Sequence, residues 1–334
     1  MKKILPEVIA ALDAHIDAAL RRQITDPGHP QTGGLLPPPH VRSQMPLDLA
    51  DQGATARLAV SCAWHYIASR RAVANLAPRP GLLPRAIAAM DFLLRSRRES
   101  GLIDLQNCNH DSAPDTAFAV QQLVSVLSVP DDEWRREDPA WDALRDRIET
   151  FARQAVNGLA TGGFHTPNHR WVISSALALT LRFVPGLDAA AAANAAATIN
   201  AFLAETIDID AEGAFIERSV GIYDAVCDLS LLFLEQLWPS ANAAGAGQAA
   251  AANLRFNLHL LDSDGTAETG LSRRQDYGTR TIPLKLAACY LLATRLDNAL
   301  VSDDDKTQFA QTARFLWDRA SKTRHLPESE TLNW

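Results

Sequence analysis

Apolar residues recur at spacings of three and four along almost the whole chain, and the strict alternation expected of strands is nearly absent. The pattern predicts helices over residues 4–22, 55–74, 84–98, 115–127, 141–159, 171–183, 189–207, 223–238, 246–261, 283–296 and 306–323. Ala, Leu and Arg dominate these segments, residues with little entropic penalty in a helix. The alanine-rich run 189–197 reads as an outer or tightly packed helix whose apolar face continues into Phe202 and Leu203.

Between the helices, Gly34, Gly101, Gly163, Gly213 and Gly265 each open a polar connector, at intervals of about 50 to 67 residues. That period fits two helices and two connections. One connection per repeat is short. The other holds much of the chain's His, Asn, Arg and Tyr. The fold expected is therefore all-α: a single domain over residues 1–334, an incomplete (α/α) toroid of about five to six helical hairpins. In a ring, equivalent loops converge on one end, where several repeats can assemble one site; an open solenoid spreads them along a ridge.

Composition narrows the function classes. Lys and Arg total 32 against 39 Asp and Glu, a net charge of −7. That balance argues against a nucleic-acid coat or a basic membrane-surface protein. No stretch reaches 18 uncharged apolar residues, and Glu7, Asp13 and Asp17 interrupt any N-terminal signal. The expectation is a cytoplasmic chain with no membrane partner, or an exported one if a leader has been removed. Cys62, Cys108, Cys227 and Cys289 are widely separated, three of them in apolar runs, which fits buried core thiols rather than a zinc or disulfide framework.

Two connectors carry the candidate chemistry. In Gly163-Phe164-His165-Thr166-Pro167-Asn168-His169-Arg170-Trp171, Pro167 disfavours helix at Thr166, so the helix begins near Asn168. An amide, an imidazole and a guanidinium then sit at a helix N-terminus, where the dipole favours an anion. The bland alternative makes Asn168 a cap and Trp171 core. His165 and His169 have an i,i+4 metal-like spacing, but Pro167 intervenes and a third ligand is missing nearby, so no metal and no cofactor are expected. The next connector, Gly213-Ala214-Phe215-Ile216-Glu217-Arg218-Ser219-Val220-Gly221-Ile222-Tyr223, brings an arginine close to a tyrosine. A guanidinium beside a phenol favours phenolate, a usable proton acceptor.

Asn168-His169, followed about one repeat later by G-x-F-x-E-R-S-x-x-x-Y, resembles the heparinase II/III and alginate-lyase superfamily of polysaccharide lyases. The resemblance covers the helical portion, nearly all of this chain, and rests on these two loops. It implies an incomplete α/α toroid, followed in that superfamily by a β-sandwich that has no counterpart in this chain. It also implies β-elimination from a uronic-acid-containing poly- or oligosaccharide, with Asn168 binding the uronate carboxylate and His169 and Tyr223 handling protons. The R-W after Asn168-His169 fits no particular subfamily, and the sugar is not carried over.

Other loops supply further candidates for an anionic glycan: Asn107, Asn109, His110, Asp111 and Asp115 in the second, Arg273, Arg274 and Tyr277 in the fifth, and more weakly His40 and Arg42 in the first. Arg170, Arg218, Arg273, Arg274 and Arg280 all lie in or beside connectors of a net acidic chain, which favours an anionic ligand. Trp64, Trp171 and Phe215 are candidates for stacking on sugar faces, though core packing explains each singly. Two other classes remain open. A glycoside hydrolase would pair Asp111 or Asp115 with Glu217, and a non-catalytic helical-repeat protein would bind its partner along a ridge.

Overall fold

The computed structural model describes residues 5–38, 49–106 and 108–322. His40, Arg42 and Asn107 lie outside them. Thirteen α-helices occur among the described residues: α1 (Leu5–Leu20), α2 (Gln52–Arg70), α3 (Leu82–Ser96), α4 (Ala113–Leu127), α5 (Asp132–Glu137), α6 (Pro139–Thr161), α7 (Pro167–Phe183), α8 (Ala189–Ala204), α9 (Tyr223–Leu237), α10 (Pro239–Ala243), α11 (Ala246–Leu258), α12 (Leu284–Ala293) and α13 (Asp303–Lys322). The fold is all-α apart from one short antiparallel pair, β1 (Ile103–Leu105) and β2 (Asn109–Ser112).

Helix starts follow local chemistry. The Asp51 carboxylate accepts the Ala54 N–H at the head of α2, and Asp138 does the same for Ala140 and Trp141 ahead of Pro139 in α6. Ser112 and Asp115 cap α4 reciprocally, the serine accepting the Asp115 N–H and donating its hydroxyl to that carboxylate. Asp115 is thereby accounted for as a cap.

The chain divides into two compact units, one of Lys2–Gly163 with Leu179–Ala196, the other of Phe164–Ala178 with Ala197–Trp334. In the first unit α2 packs on α3 and α4, and α6 packs on α3 and α4, so hairpin lies on hairpin. Leu58, Met90, Leu93, Leu123, Leu144 and Phe151 fill that core. In the second unit α9 packs on α11 and α12, and α12 on α13, around Leu231, Leu254, Tyr290, Phe309 and Leu316. The buried Tyr290 hydroxyl donates to the Leu254 carbonyl, 3.0 Å away. Cys62, Cys227 and Cys289 are buried and Cys108 is exposed, matching the apolar runs that hold the first three.

The connectors repeat in shape as well as in position. Gly101 and Gly213 have φ of 87° and 91°, and Gly33 and Gly265 are alike at 90°. Each lies in a tight reversal, such as Gly213 N–H to Asp210 C=O followed by the Ile209–Phe215 bridge. A Cβ on Gly101 would stand 2.0 Å from the Gln154 carbonyl oxygen, and on Gly213 2.6 Å from that of Ala252. Glycine is needed at these two positions both for its left-handed backbone and for the close approach to a following helix. In the first connector Gly33 rather than Gly34 does this, and Gly163 departs from the pattern, with neither positive φ nor a close neighbour.

Candidate active site

Pro167 opens α7, as a residue with fixed φ and no N–H to satisfy can. The first turn of that helix is expected to attract an anion, and the anion present is the protein's own. Glu217 Oε2 accepts the Asn168 N–H at 3.1 Å, while Glu217 Oε1 accepts Arg274 Nη1 at 2.5 Å. The Glu217 carboxylate is almost wholly buried. One carboxylate thus ties three segments distant in sequence, 166–170, 217–223 and 272–277. Arg274 in turn lies over Tyr223, its guanidinium carbon 4.6 Å from the ring centroid, a cation–π contact.

The loop preceding α9 is shaped to deliver these groups. Arg218 has φ of 46°, a left-handed conformation that costs a non-glycine residue on the order of 1 kcal/mol. This places Glu217 and Ser219 inside and Arg218 outside. The Arg273 N–H donates to the Arg218 carbonyl at 2.8 Å, clamping the two loops together. Beneath them, Asp276 accepts the Ser219 hydroxyl at 3.0 Å, the Gly221 N–H at 2.9 Å and the Ser272 hydroxyl. Ser219 N–H also donates to Asp224 Oδ1 at 3.2 Å, and Asn253 and Asn257 donate to the other Asp224 oxygen. A buried network of this kind fixes loop geometry, because each broken bond would strand a desolvated polar group.

Burial lowers the His169 imidazole to about 4, helped by the nearby His165 and by the positive charge of Arg274. It is therefore neutral at physiological pH. Its Nδ1 accepts the His165 N–H at 3.4 Å, so Nε2 carries the proton of the neutral ring. That makes His169 a hydrogen-bond donor more readily than a proton acceptor, since a base works best with a pKa near the working pH.

Asp224 moves the other way, with burial pushing its carboxyl up to about 6 against the hydrogen bonds that oppose the rise. Asp228, one turn further along α9, is fully buried, and neither carboxyl oxygen has a hydrogen-bond partner among the described residues; burial raises it well above the usual range. Between about pH 4 and 6 folded Asp224 keeps a proton that the unfolded chain has released, so its contribution to stability declines as pH rises through that window. His169 has the opposite sign: between about pH 4 and 6.5 only the unfolded chain binds its proton, so stability falls as pH drops. The two partly cancel in the parent protein. Asp224→Asn should therefore gain stability relative to the parent by on the order of 3 kcal/mol between about pH 4 and pH 7, read from urea unfolding at the two pH values. A difference that stays constant with pH would remove Asp224 from this linkage.

Several sequence candidates lie elsewhere than expected. Asn168 is fully buried and its Nδ2 donates to Thr166 Oγ1 at 3.0 Å, so it does not present its amide to a sugar carboxylate; its Oδ1 has no partner among the described residues. The reason is that Glu217 already occupies the helix N-terminus. Arg170 is buried and bound to Glu205, Asp208 and the Thr206 carbonyl, with its guanidinium 4.4 Å from the Trp171 ring. Trp171 and Phe215 are core residues. Neither Arg170 nor Trp171 is available to a ligand. Glu217, expected to bind substrate or serve as a hydrolase carboxylate, instead has both oxygens engaged within the protein.

Arg218, Arg273 and Tyr277 are exposed in the same unit. Asn109 and His110 belong to β2 in the other unit, where Asn109 Nδ2 donates to Ser112 Oγ at 2.7 Å and His110 Nδ1 stands 3.6 Å from Asp104 Oδ2. Asp111 is held there too, its N–H donating to Asp104 Oδ1 at 2.7 Å.

The sequence reading missed Asp276, Asp224, Asn253 and Asn257. Polar residues at i,i+4 spacing on the apolar faces of α9 and α11 were the available signal. Among the described residues, no group of three or more His, Cys, Asp or Glu is placed to hold a metal ion, and no helix is long and apolar enough to cross a membrane. No protein-family model, curated protein or solved structure matches the chain.

Proposed function

We propose that this protein is a lyase that cleaves a uronic-acid-containing poly- or oligosaccharide by β-elimination, and that its stacked hairpins form an incomplete α/α toroid like that of the heparinase II/III and alginate-lyase superfamily. The observation that carries the reading is the Arg274–Tyr223 stack beside His169, anchored by the buried Glu217. Elimination removes the proton at C5, next to the carboxylate, and expels the C4 oxygen. That proton is very weakly acidic until the charge on the carboxylate is neutralised. Arg274, half-buried and with only one nitrogen committed to Glu217, is the cation for this task, and neutral His169 is a second donor. Preorganised donors of this kind typically contribute about 10²–10³-fold each.

Tyr223 is the proton carrier in this scheme. As phenolate it takes the C5 proton, the electron pair left on carbon forms the C4–C5 double bond, and the C4–O bond breaks. The phenol then returns its proton to the leaving oxygen, so the step balances without water. The hydrolase reading is less well supported, because Glu217 is locked between an N–H and a guanidinium, whereas a hydrolytic acid must release a proton to the glycosidic oxygen. The test is a screen of uronate polysaccharides for the ultraviolet absorbance of an unsaturated product. Appearance of that product with at least one of them is expected. Cleavage without it, or no cleavage across the panel, would contradict the reading.

A further inference from the structure

The Tyr223 and Arg274 loops are joined through their backbones as well as by the Glu217 pairing. Asp276 Oδ1 accepts the hydroxyls of Ser219, at 3.0 Å, and of Ser272, while its Oδ2 accepts the Gly221 N–H at 2.9 Å. Each serine oxygen is in turn an acceptor. Ser219 Oγ accepts the Tyr223 N–H at 3.2 Å, and Ser272 Oγ accepts the Arg274 N–H at 3.3 Å. One carboxylate therefore reaches, through two hydroxyls, the backbone of both residues of the cation–π stack.

Taken singly, each serine makes an ordinary local contact, Ser219 at the head of α9 and Ser272 within a turn. Local turn chemistry does not require that they share one acceptor, and Ser219 and Asp276 are 57 residues apart. Ser219, Ser272 and Asp276 are all buried, so water competes little for these bonds. Asp276 is held from behind as well, its carbonyl accepting the Thr279 N–H at 2.9 Å and the Thr279 hydroxyl at 2.7 Å. Arg274 is thus fixed at both ends, its backbone by Ser272 and its guanidinium by Glu217.

We propose that Asp276 is a positioning residue for the elimination, setting the register of Tyr223 against Arg274 through Ser219 and Ser272. It touches no reacting atom. The cation that neutralises the carboxylate and the phenol that moves the proton sit on different loops, and a displacement of about 1 Å between such groups costs about 10²-fold in rate. The proposal rests on the reading of Tyr223 and Arg274 as the elimination site.

The test compares the parent with Asp276→Asn, Ser219→Ala and Ser272→Ala, each checked for folding by thermal unfolding. Asparagine keeps the size of aspartate, but its amide sets a donor against either the Gly221 N–H or the two hydroxyls. Initial rates of unsaturated-product formation should show kcat/KM lowered by about 10²-fold in Asp276→Asn. The serine variants should divide the effect. Ser219→Ala should lower kcat with KM near the parent value, because Tyr223 acts only as the proton moves, whereas Ser272→Ala should raise KM, because Arg274 also holds the ground-state carboxylate.

Amide hydrogen exchange read by NMR tests the coupling without any substrate. Asp276→Asn should speed exchange at both Tyr223 and Arg274, Ser219→Ala at Tyr223 alone and Ser272→Ala at Arg274 alone. Folded variants with the parent's kcat and KM, or Asp276→Asn exchange altered at only one of the two amides or at neither, overturn the positioning role. The expected exchange pattern without unsaturated product from the parent keeps the coupling of the loops and removes the lyase. Unsaturated product with rates and exchange unmoved in all three variants does the reverse.

Discussion

Arg274→Met is expected to destabilise the protein by about 3–5 kcal/mol, the largest effect of any single substitution at this site. The reason is an asymmetry in burial. The Glu217 carboxylate is 1% exposed, whereas the Arg274 side chain is 23% exposed. Removing the arginine strands a desolvated carboxylate with the Asn168 N–H as its remaining partner at this pairing. Removing the carboxylate instead, in Glu217→Gln, leaves a guanidinium that can turn towards water, and glutamine Oε1 can still accept the Asn168 N–H. That variant should lose clearly less. In the double variant the stranded charge is gone, so much of the Arg274→Met loss should be recovered. Urea unfolding midpoints of the four proteins check this. Equal losses from the two single variants would mean that Glu217 is not the buried anchor of the three segments.

Tyr223→Phe separates chemistry from folding. The ring that carries the Arg274 contact is retained and only the phenol oxygen is lost, so stability should stay within about 0.5 kcal/mol of the parent. Turnover should fall by about 10³-fold or more, since the group proposed to take and return the proton is gone. Binding of an oligouronide should change little. Initial rates of unsaturated-product formation, with calorimetric affinities alongside, make the comparison. Unchanged turnover would exclude Tyr223 from proton transfer.

The helices were legible in the sequence because Ala, Leu and Arg recur with helical period, and most boundaries moved by only a few residues; the expected start near Asn168 corresponds to α7 beginning at Pro167. The short helices α5 and α10 were not foreseen, since one turn of Asp-Glu-Trp-Arg or Pro-Ser-Ala-Asn has no apolar period to read. The β1–β2 pair was also missed: Ile-Asp-Leu and Asn-His-Asp-Ser are too short to show a strand period, and β1 is held extended by its placement on α2 and α4 and its pairing with β2. The repeating glycine turns were visible as positions, but only φ distinguishes Gly33 from Gly34.

The site was legible in part for a comparable reason. His, Asn, Arg and Tyr crowd the right loops, and that density is a local property. Which arginine faces inward is not. Arg218 is nearer to Tyr223 in sequence, yet the left-handed turn at 218 sends it outward, and Arg274, 57 residues from Glu217, takes the place over the ring. Likewise Asn168 looked available to a ligand until a carboxylate 49 residues away was found on its own N–H.

The central claim is that the Arg274–Tyr223–His169 arrangement drives elimination rather than hydrolysis. Digestion of a susceptible uronate glycan in heavy-oxygen water, followed by mass spectrometry of the fragments, tests it most directly. Fragments bearing a C4–C5 double bond and no heavy oxygen at the newly cleaved ends are the result expected. Incorporation of heavy oxygen at each new reducing end, with no unsaturated sugar, would show that water had attacked the bond and would contradict the account.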